Sequence, residues 1–242
     1  DEKLVEQGRN FANKIWNAFR LVKGWEIDAS IKTEDNKAAI EWFENRYNQA
    51  LIEIEDHFGK FRISDALMST YKLVWDDFCS WYLEMIKPAY QKPIDAETYD
   101  KTIGFLENIL KLLHPFMPFI TESIWQALPH EGPSIMVSQW PKAAEGLDFP
   151  AEEREMEEIM AAIRAVRNRR SEMNVPPSKK AQMIIVTSTP ENYEEGKHFI
   201  TRMAYASEVT VTDAAPADLT GMVTVVTHNA NVYMPLAELV DF

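Results

Sequence analysis

The sequence predicts a mainly α protein, an antiparallel helical bundle followed by a small α+β domain. Three observations carry this expectation. Apolar residues recur with helical spacing as far as about residue 128. Past residue 150 the spacing changes, and short strand-like runs alternate with helical ones. Seven Trp and twelve Phe against only eight Gly suit helices packed through large side chains. The boundary is expected near residue 145, dividing a bundle at 1–145 from an α+β domain at 146–242.

Each element has its own signal. A helix over residues 3–23 stops at Gly24, and a second over 33–58 ends before Gly59. The third starts after a cap at Ser64 and runs to Ile86 or Lys87, where Pro88 closes it. Asp95 caps a fourth that reaches Leu113. HPFMPF then breaks the helix: Pro115 and Pro118 fix the bend, Phe116 and Phe119 are expected to plug the bundle, and His114 is expected to be structural. ITESIWQAL adds a short helix before Pro129. Residues 129–150 carry four Pro and a strand-like run, SIMVSQW, and read as a connection packed across the bundle. The helix over 150–173 should bury Met156, Ile159, Ile163 and Val166. NVPPSKK leads into the strand AQMIIVT, a helix over 190–204, and strands at SEVTVT, MVTVVT and NVYMP, giving a sheet covered by helices on one side.

Several function classes lack their signature. The single Cys79 lies among aromatic residues in DDFCSWY, the setting of a buried small hydrophobe rather than a nucleophile. The five His stand at least 16 residues apart with no Cys beside them, so no metal site is expected. No catalytic set of clustered nucleophile and base is visible. No apolar run approaches the roughly 18 residues a membrane span needs, and the first residues lack the pattern of a signal peptide, so a cytoplasmic protein is expected.

A net charge of −13 argues against a nucleic-acid binder, because phosphate contacts need Lys and Arg. Two segments depart from that average. Residues 7–25 hold four basic residues (Arg9, Lys14, Arg20, Lys23) and no acid, and residues 164–180 hold six against the single acid Glu172. An acidic body with two basic segments suits a protein that touches a polyanion at chosen places.

In the first helix, Leu4, Phe11, Ile15, Ala18 and Val22 fall in one stripe, the expected core side. Opposite lie Arg9, Asn13, Asn17 and Arg20, with Trp16 at their edge and Asn10 and Lys14 farther round. A solvated helix face ordinarily alternates Glu with Lys. Asn instead offers a donor and an acceptor to a base edge, Arg forks onto a phosphate or guanine, and Trp16 or Trp25 could stack on an unpaired base. Composition alone leaves open the alternative that these groups cap loops and pair with acids of neighbouring helices.

GRNFANKIWNAFR, residues 8–20, resembles the segment that opens the anticodon-binding bundle of class I synthetases for valine, isoleucine and leucine. LLHPFMPFITESIWQAL, residues 112–128, is similar to the end of that bundle. The resemblance implies a bundle of the class I synthetase anticodon-binding type. In the second basic segment, Arg164, Arg167 and Ser171 share an expected exposed side and Arg170 reads as a semi-buried arginine. Asn174 ends the helix, and Lys179 and Lys180 emerge after Pro176 and Pro177. IRAVRNRRSEMNVPPSKK, residues 163–180, is similar to the module that follows the bundle in valyl-tRNA synthetases, and VYMPLAELVDF, residues 232–242, resembles the passage to their C-terminal coiled coil.

The resemblance implies a recognition module for valine tRNA. Arg9, Asn10, Asn13, Asn17 and Arg20 would read or clamp the anticodon loop, Trp16 or Trp25 would stack, and Lys14 and Lys23 would meet phosphates. Arg164, Arg167, Lys179 and Lys180 would hold backbone phosphates. No HIGH-like or KMSKS-like signature is present, so ATP, Mg and valine activation are expected in a catalytic domain of the same polypeptide, outside this sequence, and no cofactor is expected here. The equivalent domain of an isoleucyl or leucyl enzyme, and a helical protein-interaction scaffold, stay open as alternatives.

Overall fold

The computed structural model describes residues 1–32, 34–146 and 150–241 of the chain. Thr33, where the second helix was expected to begin, and Phe242, the last residue of the closing motif, lie outside the described residues. The chain divides into two compact units, Asp1–Phe149 and Pro150–Phe242.

The first unit is built from α1 (Glu2–Lys23), α2 (Lys37–Gly59), α3 (Ile63–Lys72), a π-helical stretch (Leu73–Tyr82), α4 (Leu83–Ile86), α5 (Ala96–Leu113) and α6 (Pro118–Ala127). Asp95 caps α5 as its sequence predicts, accepting from the Thr98 amide at 2.9 Å. Ser64 is not a cap. The turn begins one residue earlier at Ile63, after Phe61 takes a positive φ of 58°, and leaves Ser64 inside the first helical turn. From α3 to α4 the backbone is one continuous helical rod whose middle widens to π geometry, with Ser80 Oγ donating to the Trp75 carbonyl five residues back at 2.9 Å. No sequence signal predicts this widening.

The core centres on Phe43 of α2, which is fully buried. Its ring meets Phe78 at 5.4 Å, Tyr82 at 5.0 Å and Phe105 at 4.8 Å, so one side chain joins α2, the π stretch and α5. Cys79 is buried as expected, and burial pushes its thiol up to about 12, which keeps it protonated and unreactive at neutral pH. His114 Nδ1 lies 2.8 Å from Thr121 Oγ1, bridging the bend between α5 and α6. Of the two phenylalanines in that bend, Phe116 stacks on Phe58 at 6.3 Å, but Phe119 is 87% exposed and plugs nothing. It occupies the outer side of the first turn of α6, where helical geometry turns it away from the core.

The connection after α6 packs across the bundle. Ile135 is buried with its amide donating to Glu122 Oε2 at 2.8 Å, Trp140 meets the Phe58 ring edge-on at 5.9 Å, and the Ala144 amide donates to the buried Asn48 at 2.7 Å. The strand-like run SIMVSQW within this connection forms a 3₁₀ turn, Ile135–Val137. Among the described residues no neighbouring strand pairs with it, and Ser134 Oγ caps the turn by accepting from the Met136 amide at 3.1 Å.

The second unit begins with α7 (Pro150–Glu172), on which Met156, Ile159, Ile163 and Val166 are all buried. β1 (Ala181–Thr187), α8 (Pro190–Glu195), α9 (Lys197–Met203), β2 (Ala206–Thr212), β3 (Met222–Val226), β4 (Ala230–Pro235) and α10 (Leu236–Leu239) follow. The sheet order is β2-β1-β4-β3. β1 runs parallel to β2 with Met183 beside Val209, and antiparallel to β4 with Ile185 opposite Val232. The parallel pair needs a crossover, which α8 and α9 supply. Ala181, Met183, Ile185 and Thr187 alternate along β1 as its buried face, and α7, α8 and α9 pack against the sheet.

The single helix expected over 190–204 is two short helices broken at Gly196. A Cβ there would stand 2.0 Å from Ile159 Cδ1 and 2.8 Å from Cγ1, so α7 approaches too closely for any side chain. Gly196→Ala is therefore expected to destabilise the protein by about 1–3 kcal/mol through overpacking, read as a lowered midpoint in denaturant. An unchanged midpoint would mean that Ile159 has room to turn away.

Candidate nucleic-acid interface

Burial orients α1. Phe11, Ile15, Ala18, Phe19 and Val22 are its buried residues, and Phe11 stacks on Tyr71 at 4.9 Å and Trp75 at 6.1 Å. Leu4, expected on the core stripe, is 65% exposed, as is Val5 at 74%, so the stripe is covered only from Phe11 onward. With that stripe fixed inward, helical geometry sends Asn13, Asn17 and Arg20 outward together, and all three are exposed. Among the described residues none of the three has a side-chain partner in the fold.

The neighbouring predicted residues are more engaged. Arg9 and Asn10 are exposed, but Arg9 pairs with Glu6 at 3.3 Å, an acid that lies just before the acid-free segment. Both partners are well exposed, so water screens the pair and leaves Arg9 available for exchange with a phosphate. Lys14 is half-buried with its ammonium 5.2 Å from the Trp75 ring centre. Lys23 lies 5.4 Å from the Phe19 ring and 3.5 Å from the Ala127 carbonyl. Trp16 is 41% exposed, tilted against Phe19, and Trp25 is half-buried.

At its C-terminal end the polar face of α1 opens into a groove of about 660 Å³, lined by Arg20, Gly24, Trp25 and Glu26 on one side and by residues 87–92 on the other. Sequence reasoning missed the second wall. Its signal is KPAYQKP, a Tyr and a Lys held between two Pro, with a second Lys just before them, in a short turn between helices. The two walls are stitched by backbone hydrogen bonds, the Ile94 amide to the Glu26 carbonyl at 2.8 Å and the Asp28 amide to the Ile94 carbonyl at 2.9 Å. Asp28 is itself fixed by Ser30, whose hydroxyl and amide donate to its carboxylate and hold its pKa below the usual range. Arg20, Lys87 and Lys92 face the single acid Glu26, a positive surplus on an acidic protein. A larger cleft of about 820 Å³ near α5 and α6 sets Glu107 and Glu131 against Lys111 and His130, and so has no such surplus for a polyanion.

In the second unit the predicted basic ridge is partly spent on the fold. Arg164 and Lys180 are exposed. Arg167, expected on an exposed side, is half-buried. Its Nε donates to the Met203 carbonyl at 2.7 Å and its guanidinium lies over Tyr205 at 5.5 Å, tying α7 to the end of α9. Lys179 is also half-buried and pairs with Asp241 at 2.6 Å, the chain's closing segment having folded back beside β1. Arg170, read as semi-buried, is buried outright, with Nη2 donating to the Pro176 carbonyl at 2.9 Å and to the Lys179 carbonyl. Among the described residues no group of His, Cys, Asp and Glu could hold a metal ion, and no helix is long and apolar enough to cross a membrane.

The profile of the anticodon-binding domain of tRNA ligase matches residues 41–185. A valine–tRNA ligase of Parabacteroides distasonis is 43% identical over the whole chain, 27% of its own length. Those of Phocaeicola vulgatus and Christiangramia forsetii are 50% and 52% identical over 78% and 69% of this chain, covering 22% and 20% of their own. The chain thus spans about a fifth to a quarter of the length of these curated relatives.

Proposed function

The chain belongs to the anticodon-binding domain family of tRNA ligases, and on that premise we propose that it is the tRNA recognition module of a valine–tRNA ligase, holding the anticodon loop of valine tRNA. One observation carries the placement: Asn13, Asn17 and Arg20, which have no side-chain partner among the described residues, lead into a basic groove on a protein of net charge −13. Asn13 and Asn17 have the donors and acceptors to read base edges, and Arg20 can fork onto a phosphate or a guanine. Arg9, Lys14 and Lys23 supply charge beside them. Arg164 and Lys180 are the more exposed candidates for backbone phosphates in the second unit, while Arg167 and Lys179 are half-buried. Valine activation, with ATP and Mg, is assigned to a catalytic domain of the same enzyme. There, correct anticodon contacts would favour the geometry in which the acceptor end reaches the active site, a coupling between two distant sites.

Asn13→Ala combined with Arg20→Ala tests the reading. Both residues are exposed, so folding should be unaffected. Affinity for tRNA bearing a valine anticodon is expected to fall about tenfold or more, with a smaller loss for tRNA whose anticodon has been changed. Equal losses on both tRNAs would remove base reading from this face.

A further inference from the structure

We propose that residues 87–92 form the second wall of the RNA site, with Tyr90 as the stacking platform for one unpaired base of the loop and with Arg20 and Lys92 holding the adjoining phosphates. This rests on the reading of the chain as an anticodon-loop binder and assigns part of that task to a turn outside α1.

The turn is built to present Tyr90. The Lys92 amide donates to the Ala89 carbonyl at 2.9 Å, closing a tight turn with Tyr90 at its apex. Gln91 takes a φ of 59°, a left-handed conformation that a non-glycine residue adopts only where the surroundings enforce it. The turn's own Lys92–Ala89 bond spans it, and the backbone bonds of residue 94 to residues 26 and 28 anchor its end. Tyr90 is 89% exposed, so its ring serves no core and both faces are accessible. A backbone turn already closed by its own hydrogen bond loses little backbone entropy when a base stacks on the ring it carries.

Charge distribution specifies the ligand. The ammonium of Lys87 is held by Glu84 at 2.7 Å, which leaves Arg20 and Lys92 as the cations on opposite walls of the groove. An exposed aromatic ring in a groove of about 660 Å³ that also carries two cations suits a single-stranded nucleic acid, whose bases alternate with phosphates. A double helix hides its bases in the stack and could use only the charges.

The test uses the full chain and two RNA probes, the hairpin of a valine-tRNA anticodon arm with 2-aminopurine in its loop and a continuous duplex of the same stem. Tyr90→Ala is expected to weaken hairpin binding about tenfold, to abolish the quenching of the loop fluorophore on binding and to leave duplex binding unchanged. Tyr90→Phe keeps the ring and should restore both affinity and quenching. If hairpin affinity and quenching survive Tyr90→Ala while Asn13→Ala with Arg20→Ala still weakens binding, the Tyr90 platform is overturned and the α1 reading stands. If the unaltered chain does not prefer the hairpin over the duplex, both readings fall.

Discussion

Replacing Phe43 by Ala is expected to be among the most damaging single changes in the first unit, lowering stability by about 3–5 kcal/mol. The ring is fully buried and belongs to three aromatic contacts that bind α2 to the π stretch and to α5. Truncation removes the buried apolar surface, leaves a cavity between rigid rods, and loses ring–ring terms of about 0.5–1.5 kcal/mol for each well-oriented pair. Because domains are stable by only about 5–15 kcal/mol, the loss is a large fraction of the total. Phe43→Leu keeps most of the volume and should lose less. The measurement is the midpoint and slope of denaturant unfolding followed by far-ultraviolet circular dichroism. An unchanged midpoint for Phe43→Ala would mean that the cluster is not the core's centre.

Arg170→Ala carries the second large effect, about 2–4 kcal/mol, because it strips donors from two carbonyls and empties the space beneath Tyr205. One guanidinium nitrogen serves both the Pro176 and Lys179 carbonyls, and the guanidinium lies 5.2 Å from the Tyr205 ring centre. Burial lowers its pKa from the usual arginine value, so the fold bears a desolvation cost to keep this charge inside. That cost is offset by order. The chain leaves α7 through Asn174, whose φ is 55°, and Arg170 ties down residues 176–179 that set the direction of Lys179 and Lys180. Arg170→Lys should not rescue, because a lone ammonium cannot both bridge the carbonyls and cover the ring. Hydrogen exchange should show lost protection concentrated at residues 175–182. Uniform loss across the second unit would point instead to a general packing role.

Local chemistry made much of this fold legible in the sequence. Asp95 was readable as a cap because its carboxylate has one obvious donor in the next turn. AQMIIVT coincides with β1 because alternation survives in a strand with one buried face. What escaped depends on contacts distant in sequence. Gly196 interrupts a helix because Ile159 occupies the space, and no local pattern announces that. Arg167 looked exposed by helical spacing, but a carbonyl 36 residues later takes its guanidinium. The α1 face was visible because its residue types are unusual at helical spacing. The facing turn was not, because Tyr90 and Lys92 become neighbours of Arg20 only when residues 26 and 94 pair. Phe119 had the composition of a core residue and is 87% exposed, which local pattern could not have revealed.

The central claim is that this chain holds tRNA by its anticodon loop, using the polar face of α1 and the groove beyond it. Its most direct test is the affinity of the unaltered chain for valine tRNA and for the same tRNA with its anticodon replaced, each at a low and a moderate salt concentration. The account predicts tighter binding of the valine anticodon at both concentrations, with both affinities falling as salt rises and their ratio retained, because phosphate contacts are screened while base contacts are not. Equal affinity for the two tRNAs at both salt concentrations would contradict it.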